Sequence, residues 1–420
     1  MSDDNLADRW ENGLASRLLL GLAGALLLNV GFRLFIAIEP QSIIGFIAIG
    51  LLYGVAILLI HCTITDIDLG VYGRWLAGAV LAALLAATLM ALTLEGYLPR
   101  LGTDALAFSK YASELVLAGK TPYGASMLPA TEYASYPSQH TTPRIDGSIV
   151  QSYSYPAGSF LAFAPLEALR IQLRVLPIFA TVACGALITI DAPRRLALIG
   201  PAALISATTL TNSAAGGIID AIWLLPFMLS MREAYRRRWM TAGFAYGLAA
   251  SVKQQPWIAA PFLLIFLYKA TREDGNYRDA LYATGSAAAA FIAVNLPFII
   301  TNPSAWLSSV VTPIAGGAPM VNVGLGMTLA TMLGLVALPT WWYTAAVGAV
   351  TTWMLAAYWL YWEDVKWIAW VAPMAILFFH YRSLASYFSL FIPVAIYAIL
   401  LNSGVVRDEG LSTRIRRWVA

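Results

Sequence analysis

Apolar residues run almost unbroken over residues 16–38, 43–63, 75–98 and 282–301. Each run has about the 20 residues that carry a helix across a bilayer's hydrocarbon core. None alternates apolar with polar positions, which excludes a transmembrane β-barrel. Inside a bilayer a helix satisfies its own backbone hydrogen bonds, so the pattern predicts an all-α integral membrane fold. Shorter apolar stretches lie near 176–190, 195–210, 217–231, 240–252, 256–269, 341–361, 367–379 and 384–401, with 325–338 the least regular. Together they raise the expected total to about 12 transmembrane helices. Composition agrees: 59% of the 420 residues are hydrophobic, 12% are charged and the mean hydropathy is +0.70, values foreign to a soluble domain.

Charge placement orients these spans. Asp3, Asp4, Asp8 and Glu11 precede the first run, an acidic flank unlike that of a cleavable signal, so the first span is expected to be permanent. Arg9 and Arg17, the "REAYRRRW" turn, "YKATREDGNYRD", "DAPRR" and the tail "RIRRW" mark the cytoplasmic side. Five segments follow from this map: a three-helix membrane segment 1–98, an external loop 99–174, central helices 175–301, a second external loop 302–340, and carboxyl-terminal helices with a cytoplasmic tail over 341–420. Within the first loop "YPAGSFLAFAPLEAL" is too short to span and holds Pro156 and Pro165, so it is expected to lie in the interface.

Several chemistries drop out. Cys62 and Cys184 sit inside apolar runs, and His61, His140 and His380 are far apart, so neither a disulfide nor a metal cluster is expected. The loop acids Glu114, Glu132 and Asp146 lack cation-loop spacing, and no metal or cofactor is expected. A net charge of +3 without an aromatic-interleaved basic patch argues against nucleic acid as a partner. Membrane lipids are the expected surroundings.

Three polar groups interrupt the apolar pattern. Asp104 stands where the third span leaves the bilayer, either as a helix cap or as a functional carboxylate. Asp220 and Lys253 lie 17 residues before and 16 after Arg237, so each sits roughly 25 Å up its helix from a shared cytoplasmic turn. They form either a mere ion pair or a functional one; Gln254 and Gln255 extend the polar cluster before Pro256 breaks the helix. His380 and Arg382 follow an apolar run in "HYRS"; at an external turn Arg382 offers a fork for phosphate oxygens, and at a cytoplasmic one it is an ordinary positive-inside residue. Tyr123, Tyr133, Tyr136, Tyr153 and Tyr155 of the long loop are placed either to stack on a sugar or to anchor the loop at headgroup level.

The order of short motifs resembles the GT-C superfamily of glycosyltransferases, which take their sugar from polyprenyl phosphates. "GTD" with Asp104, "AGKTPYG" with Gly119, Pro122 and Tyr123, and "SYPAGSFLAFAPLEAL" with Tyr155 and Pro156 are similar to that family's first external loop. The branch containing the mycobacterial phosphatidylinositol-mannoside mannosyltransferase is nearest, although Ala157 replaces the second proline of its "YPP" element. "GGIIDAIWLLPF", "RRRWMTAGFAYGLAASVKQQPW" and "NLPFIITNPSAW" continue the likeness over roughly residues 100–310, and "FFHYRSLASYF" echoes it more faintly. The spans before Trp75 have no counterpart in the family core. The resemblance implies an inverting transfer of a hexose, usually mannose, from a polyprenyl or dolichyl monophosphate to a glycan or glycolipid acceptor on the external face of the cell membrane. It casts Asp104 as general base. Lys253, Arg382 and His380 would then meet the donor phosphate, Asp220, Gln254 and Gln255 would support them, and Tyr111, Tyr123, Tyr153 and Tyr155 would serve the sugar or acceptor. The rival is a transporter or lipid-linked sugar flippase with Asp220 and Lys253 along its path, but no inverted pair of glycine-broken helices accompanies it.

Overall fold

A computed structural model describes residues 4–37, 42–65, 67–94, 103–133, 141–142, 148–207, 217–312, 340–380 and 385–403. Among these the architecture is helical. The chain forms two compact units, one made of Met1–Leu98, Ile178–Ala215 and Ile399–Ala420, the other of Pro99–Pro177 and Gly216–Ala398.

In the first unit, α1 (Asp4–Ala37), α2 (Ile43–Ile64) and α3 (Leu69–Thr93) pack side by side. Leu20, Ala23 and Leu27 of α1, Ala48, Leu52, Ala56 and Leu59 of α2, and Ala77, Val80 and Leu84 of α3 meet in their core. The three- and four-residue steps are those of one helix face. The opposite faces, including Leu18, Leu22, Ile43, Ile57 and Trp75, remain exposed and equally apolar, as surfaces that face lipid must be. α3 begins at Leu69 and not at residue 75, because the Asp68 carboxylate accepts the Gly70 N–H and caps it. Arg74 therefore lies inside the helix, donating to the carbonyls of Ile190 and Ala192.

Among the described residues, four helices are long and apolar enough to cross a membrane: Leu14–Ile36, Ile43–Ile64, Leu69–Thr93 and Tyr277–Thr301. Several other stretches expected to be continuous are broken. Residues 155–169 form two short helices, Gly158–Leu161 and Ala164–Ala168. The stretch 195–210 holds a 3-10 turn and the helix Ile199–Ser206, 367–379 holds a 3-10 turn and Ala372–Phe379, and 384–401 divides into Ala385–Ser389 and Phe391–Asn402. Each restart falls within two residues before a proline, at Pro165, Pro201, Pro373 and Pro393. Proline has no N–H to give a preceding turn but suits a first turn, so it sets the new start. The stretch 325–338 lies outside the described residues.

The second unit contains α4 (Asp104–Leu117), α5 (Ala221–Tyr235), α6 (Trp239–Val252), α7 (Gln255–Glu273), α8 (Tyr277–Thr301), α9 (Pro303–Val310), α10 (Thr340–Leu360) and α11 (Ala372–Phe379). α6 and α8 approach most closely, through the "GFAYG" step of α6. A Cβ on Gly243 would fall 1.9 Å from the Ala283 carbonyl oxygen, and one on Gly247 would fall 2.2 Å from that of Ala287. Small residues four apart let backbones touch where no hydrophobic effect draws helices together. Replacing Gly247 by Val is expected to force these helices apart at a cost of about 1–3 kcal/mol. A lowered midpoint in thermal unfolding of detergent-solubilised protein is the measurement.

Candidate active site

Thr103 starts α4: its Oγ1 accepts the Leu106 N–H at 3.2 Å and donates to the Gly217 carbonyl at 3.0 Å. The next residue, Asp104, is thereby fixed in the first turn, where a helix favours negative charge. Its Oδ1 accepts the Ala105 N–H at 2.8 Å. Its Oδ2 accepts the Thr142 N–H at 3.0 Å and the Thr142 hydroxyl at 2.8 Å. The apolar side of α4, with Leu106, Ala107, Phe108 and Ala112, is buried. Lys110 bonds Glu114 on the same helix and Glu167, at 3.2 Å, on Ala164–Ala168. Desolvation lowers the Lys110 pKa, but the two carboxylates outweigh it and hold the ammonium above its ordinary value.

The second arm comes from "KQQP". α6 ends at Val252, Lys253 takes extended backbone, and α7 begins at Gln255 with Pro256 in its first turn. The Lys253 side chain is 5% exposed and donates to the carboxylate of Asp220, 2% exposed, at the start of α5. Two charges this deep are sustained by their pairing. The ammonium also lies 5.0 Å from the Tyr155 ring centre and 5.3 Å from that of Tyr387, a cation–π arrangement that keeps the charge directed at one place. Gln254 donates both amide hydrogens, to the Ser154 carbonyl at 2.6 Å and the Val310 carbonyl at 3.2 Å, tying the loop to α9. Gln255 is buried, and its Oε1 has no hydrogen-bond partner among the described residues.

Both arms border one cavity of about 410 Å³. Asp104, Thr142, Tyr155, Lys253, Gln254, Gln255, His380 and Tyr387 supply its polar wall, and Phe108, Trp257, Ile258 and Ile376 belong to its apolar side. A second cavity, of about 520 Å³, runs along α6, α7 and α8 between Ala242, Tyr246, Leu263, Leu267, Ala287 and Phe291, almost without polar groups. Trp257 borders both. Among the described residues no three His, Cys, Asp or Glu side chains converge as metal ligands would.

Of the residues singled out in the sequence, Asp104, Lys253, Gln254, Gln255, His380 and Tyr155 thus share a cavity. Asp220 stands behind Lys253, and Arg382 lies outside the described residues. Tyr111 is half-buried on α4 and does not border the cavity. Tyr123 and Tyr153 are buried in an aromatic core with Phe160 and Phe298, ring centres 5.1 to 6.3 Å apart. The Tyr153 hydroxyl bonds Ser109 at 3.0 Å and Ser159 at 2.6 Å, and that of Tyr123 donates to the Tyr155 carbonyl at 2.9 Å. Burial pushes both phenols well above their ordinary pKa, so they stay neutral and hold the loop together. Thr142, Trp257 and Tyr387 border the cavity without having been singled out in the sequence, although Trp257 ends the stretch "RRRWMTAGFAYGLAASVKQQPW" and Tyr387 lies in "FFHYRSLASYF".

Asn295 of α8, fully buried, anchors this loop. Its Oδ1 accepts the Ala157 N–H at 2.9 Å and its Nδ2 donates to the Phe291 carbonyl at 3.0 Å. Ala157 is the position where the "YPP" element carries its second proline, which has no N–H to give. Substituting Ala157→Pro is therefore expected to orphan the Asn295 oxygen and to cost about 1–3 kcal/mol, whereas Ala157→Ser keeps the bond; unfolding midpoints of the two variants report the difference.

The model of Glycosyltransferase family 87 matches residues 153–386, more than half of the chain. No curated protein and no solved structure matches it.

Proposed function

The chain belongs to glycosyltransferase family 87 and is a membrane glycosyltransferase, and from that premise we propose that it moves a hexose, mannose by the precedent of the families it resembles, from a polyprenyl or dolichyl monophosphate to a glycan or glycolipid at the external face of the cell membrane. About 12 spans, by hydropathy, would place the cavity on that face. The observation that carries this is the single cavity joining the Asp104 carboxylate to the Lys253 ammonium. A transfer of this kind needs a base for the incoming hydroxyl and a cation for the departing phosphate.

In the proposed reaction the donor phosphate lies against Lys253, with His380 as a second hydrogen-bond donor. Asp220 keeps the lysine charged and in place. The acceptor hydroxyl enters from the Asp104 side. Its oxygen bonds to the anomeric carbon, the bond from that carbon to the phosphate oxygen breaks, the phosphate leaves with the electron pair, and Asp104 takes the proton. Attack opposite the leaving group inverts the sugar. The apolar cavity beyond Trp257 suits the hydrocarbon chain of the donor lipid.

The test supplies radiolabelled polyprenyl-phosphate β-mannose to membranes containing or lacking the protein, with mass spectrometry of surface glycans and glycolipids from a deletion strain. One missing hexose in the strain, and an α-linked product in the membranes, are expected. Unchanged glycans together with intact donor would reject the proposal.

A further inference from the structure

We infer that Thr142 is a positioning residue that decides which oxygen of Asp104 receives the acceptor's proton. This rests on Asp104 being the base of the transfer. An ionised carboxylate has about four lone-pair sites, two on each oxygen, and can only accept hydrogen bonds. Thr142 fills both sites of Oδ2, one with its N–H at 3.0 Å and one with its hydroxyl at 2.8 Å. The Ala105 N–H fills one site of Oδ1 at 2.8 Å. Among the described residues one lone pair remains without a donor, and it belongs to Oδ1.

Both clamps on Oδ2 come from one residue, 38 positions away along the chain. Thr142 is itself held through its carbonyl, which accepts the Val150 N–H at 2.9 Å, and both residues border the polar cavity. The Ala105 bond alone would leave the carboxylate free to swing about its Cβ–Cγ bond. With Oδ2 saturated, the two oxygens are no longer interchangeable, and the free lone pair of Oδ1 keeps one direction. As the acceptor oxygen bonds to the anomeric carbon and the phosphate departs with its electrons, the hydroxyl proton passes to Oδ1. Neither Thr142 atom exchanges a proton; its contribution is alignment, which acts on the chemical step more than on binding.

The experiment compares Thr142→Val, Thr142→Ser and Asp104→Asn with the unaltered full-length protein, using radiolabelled polyprenyl-phosphate mannose and the endogenous acceptors of deletion-strain membranes. Thr142→Val keeps the backbone clamp and loses the hydroxyl clamp. It is expected to lower kcat by about 10- to 100-fold, the worth of a hydrogen bond to a charged group, with the donor KM unchanged. Thr142→Ser restores the hydroxyl and is expected to return kcat to within about threefold. If Asp104→Asn is inactive while Thr142→Val retains full kcat, the clamp is overturned and the base stands. Equal impairment of the Val and Ser variants also overturns it, since the hydroxyl that Ser restores would then not be what sets the rate. Full activity of Asp104→Asn removes the base and the clamp together.

Discussion

Asp104→Asn is expected to lower the rate of transfer by about 100- to 10,000-fold, the range over which a positioned base accelerates a reaction. The change suits the question because it preserves shape. Asn retains one oxygen that can accept the Thr142 N–H and hydroxyl, with its NH2 in the place of Oδ1, so the Ala105 bond is lost while Thr142 stays tied to the start of α4. What disappears is the lone pair able to hold a proton. Donor binding, centred on Lys253, is expected to stay within a few-fold of normal, so the loss falls on kcat. Equal losses in kcat and donor affinity would instead make Asp104 part of the donor seat.

Lys253→Met has two effects that must be measured apart. The Asp220 carboxylate is 2% exposed and would be stranded, and breaking a buried pair by removing one partner typically costs about 3–5 kcal/mol. The single variant is thus expected to unfold at a markedly lower temperature. Adding Asp220→Asn removes the stranded charge, and the double variant is expected to regain most of that stability. Its donor KM should remain raised by at least about tenfold, because a phosphate would face no ammonium. Recovery of both stability and donor affinity in the double variant would reduce the pair to a structural device.

Much of this is legible in the amino-acid sequence itself. The long apolar runs of α1 to α3 and of α8 have no alternative in a bilayer, and the helices formed where the runs lie. Asp220 and Lys253 were legible as partners because a hairpin around Arg237 equalises their heights by simple counting. The restarts at prolines were harder to see, since hydropathy averages over a proline while the backbone does not. Tyr123 and Tyr153 read in the sequence as loop tyrosines placed to stack on a sugar or to anchor at the headgroups; Ser109, Ser159 and the Tyr155 carbonyl give their hydroxyls partners inside, and so they turn inward. Thr142 gave no local signal. It lies in a stretch without periodicity, and its meaning comes only from a contact made across 38 residues. Trp257 and Tyr387 are similar: an aromatic residue in a membrane protein is unremarkable until its neighbours are known.

The hydroxyl of Thr103 caps the helix that begins with Asp104 while gripping the Gly217 carbonyl, three residues ahead of Asp220. The proposed proton acceptor and the proposed leaving-group anchor therefore hang from one peg. An engineer who grafts the loop from a relative, hoping to change the acceptor while keeping the donor, would tilt both at once unless residue 103 and its foothold travel together.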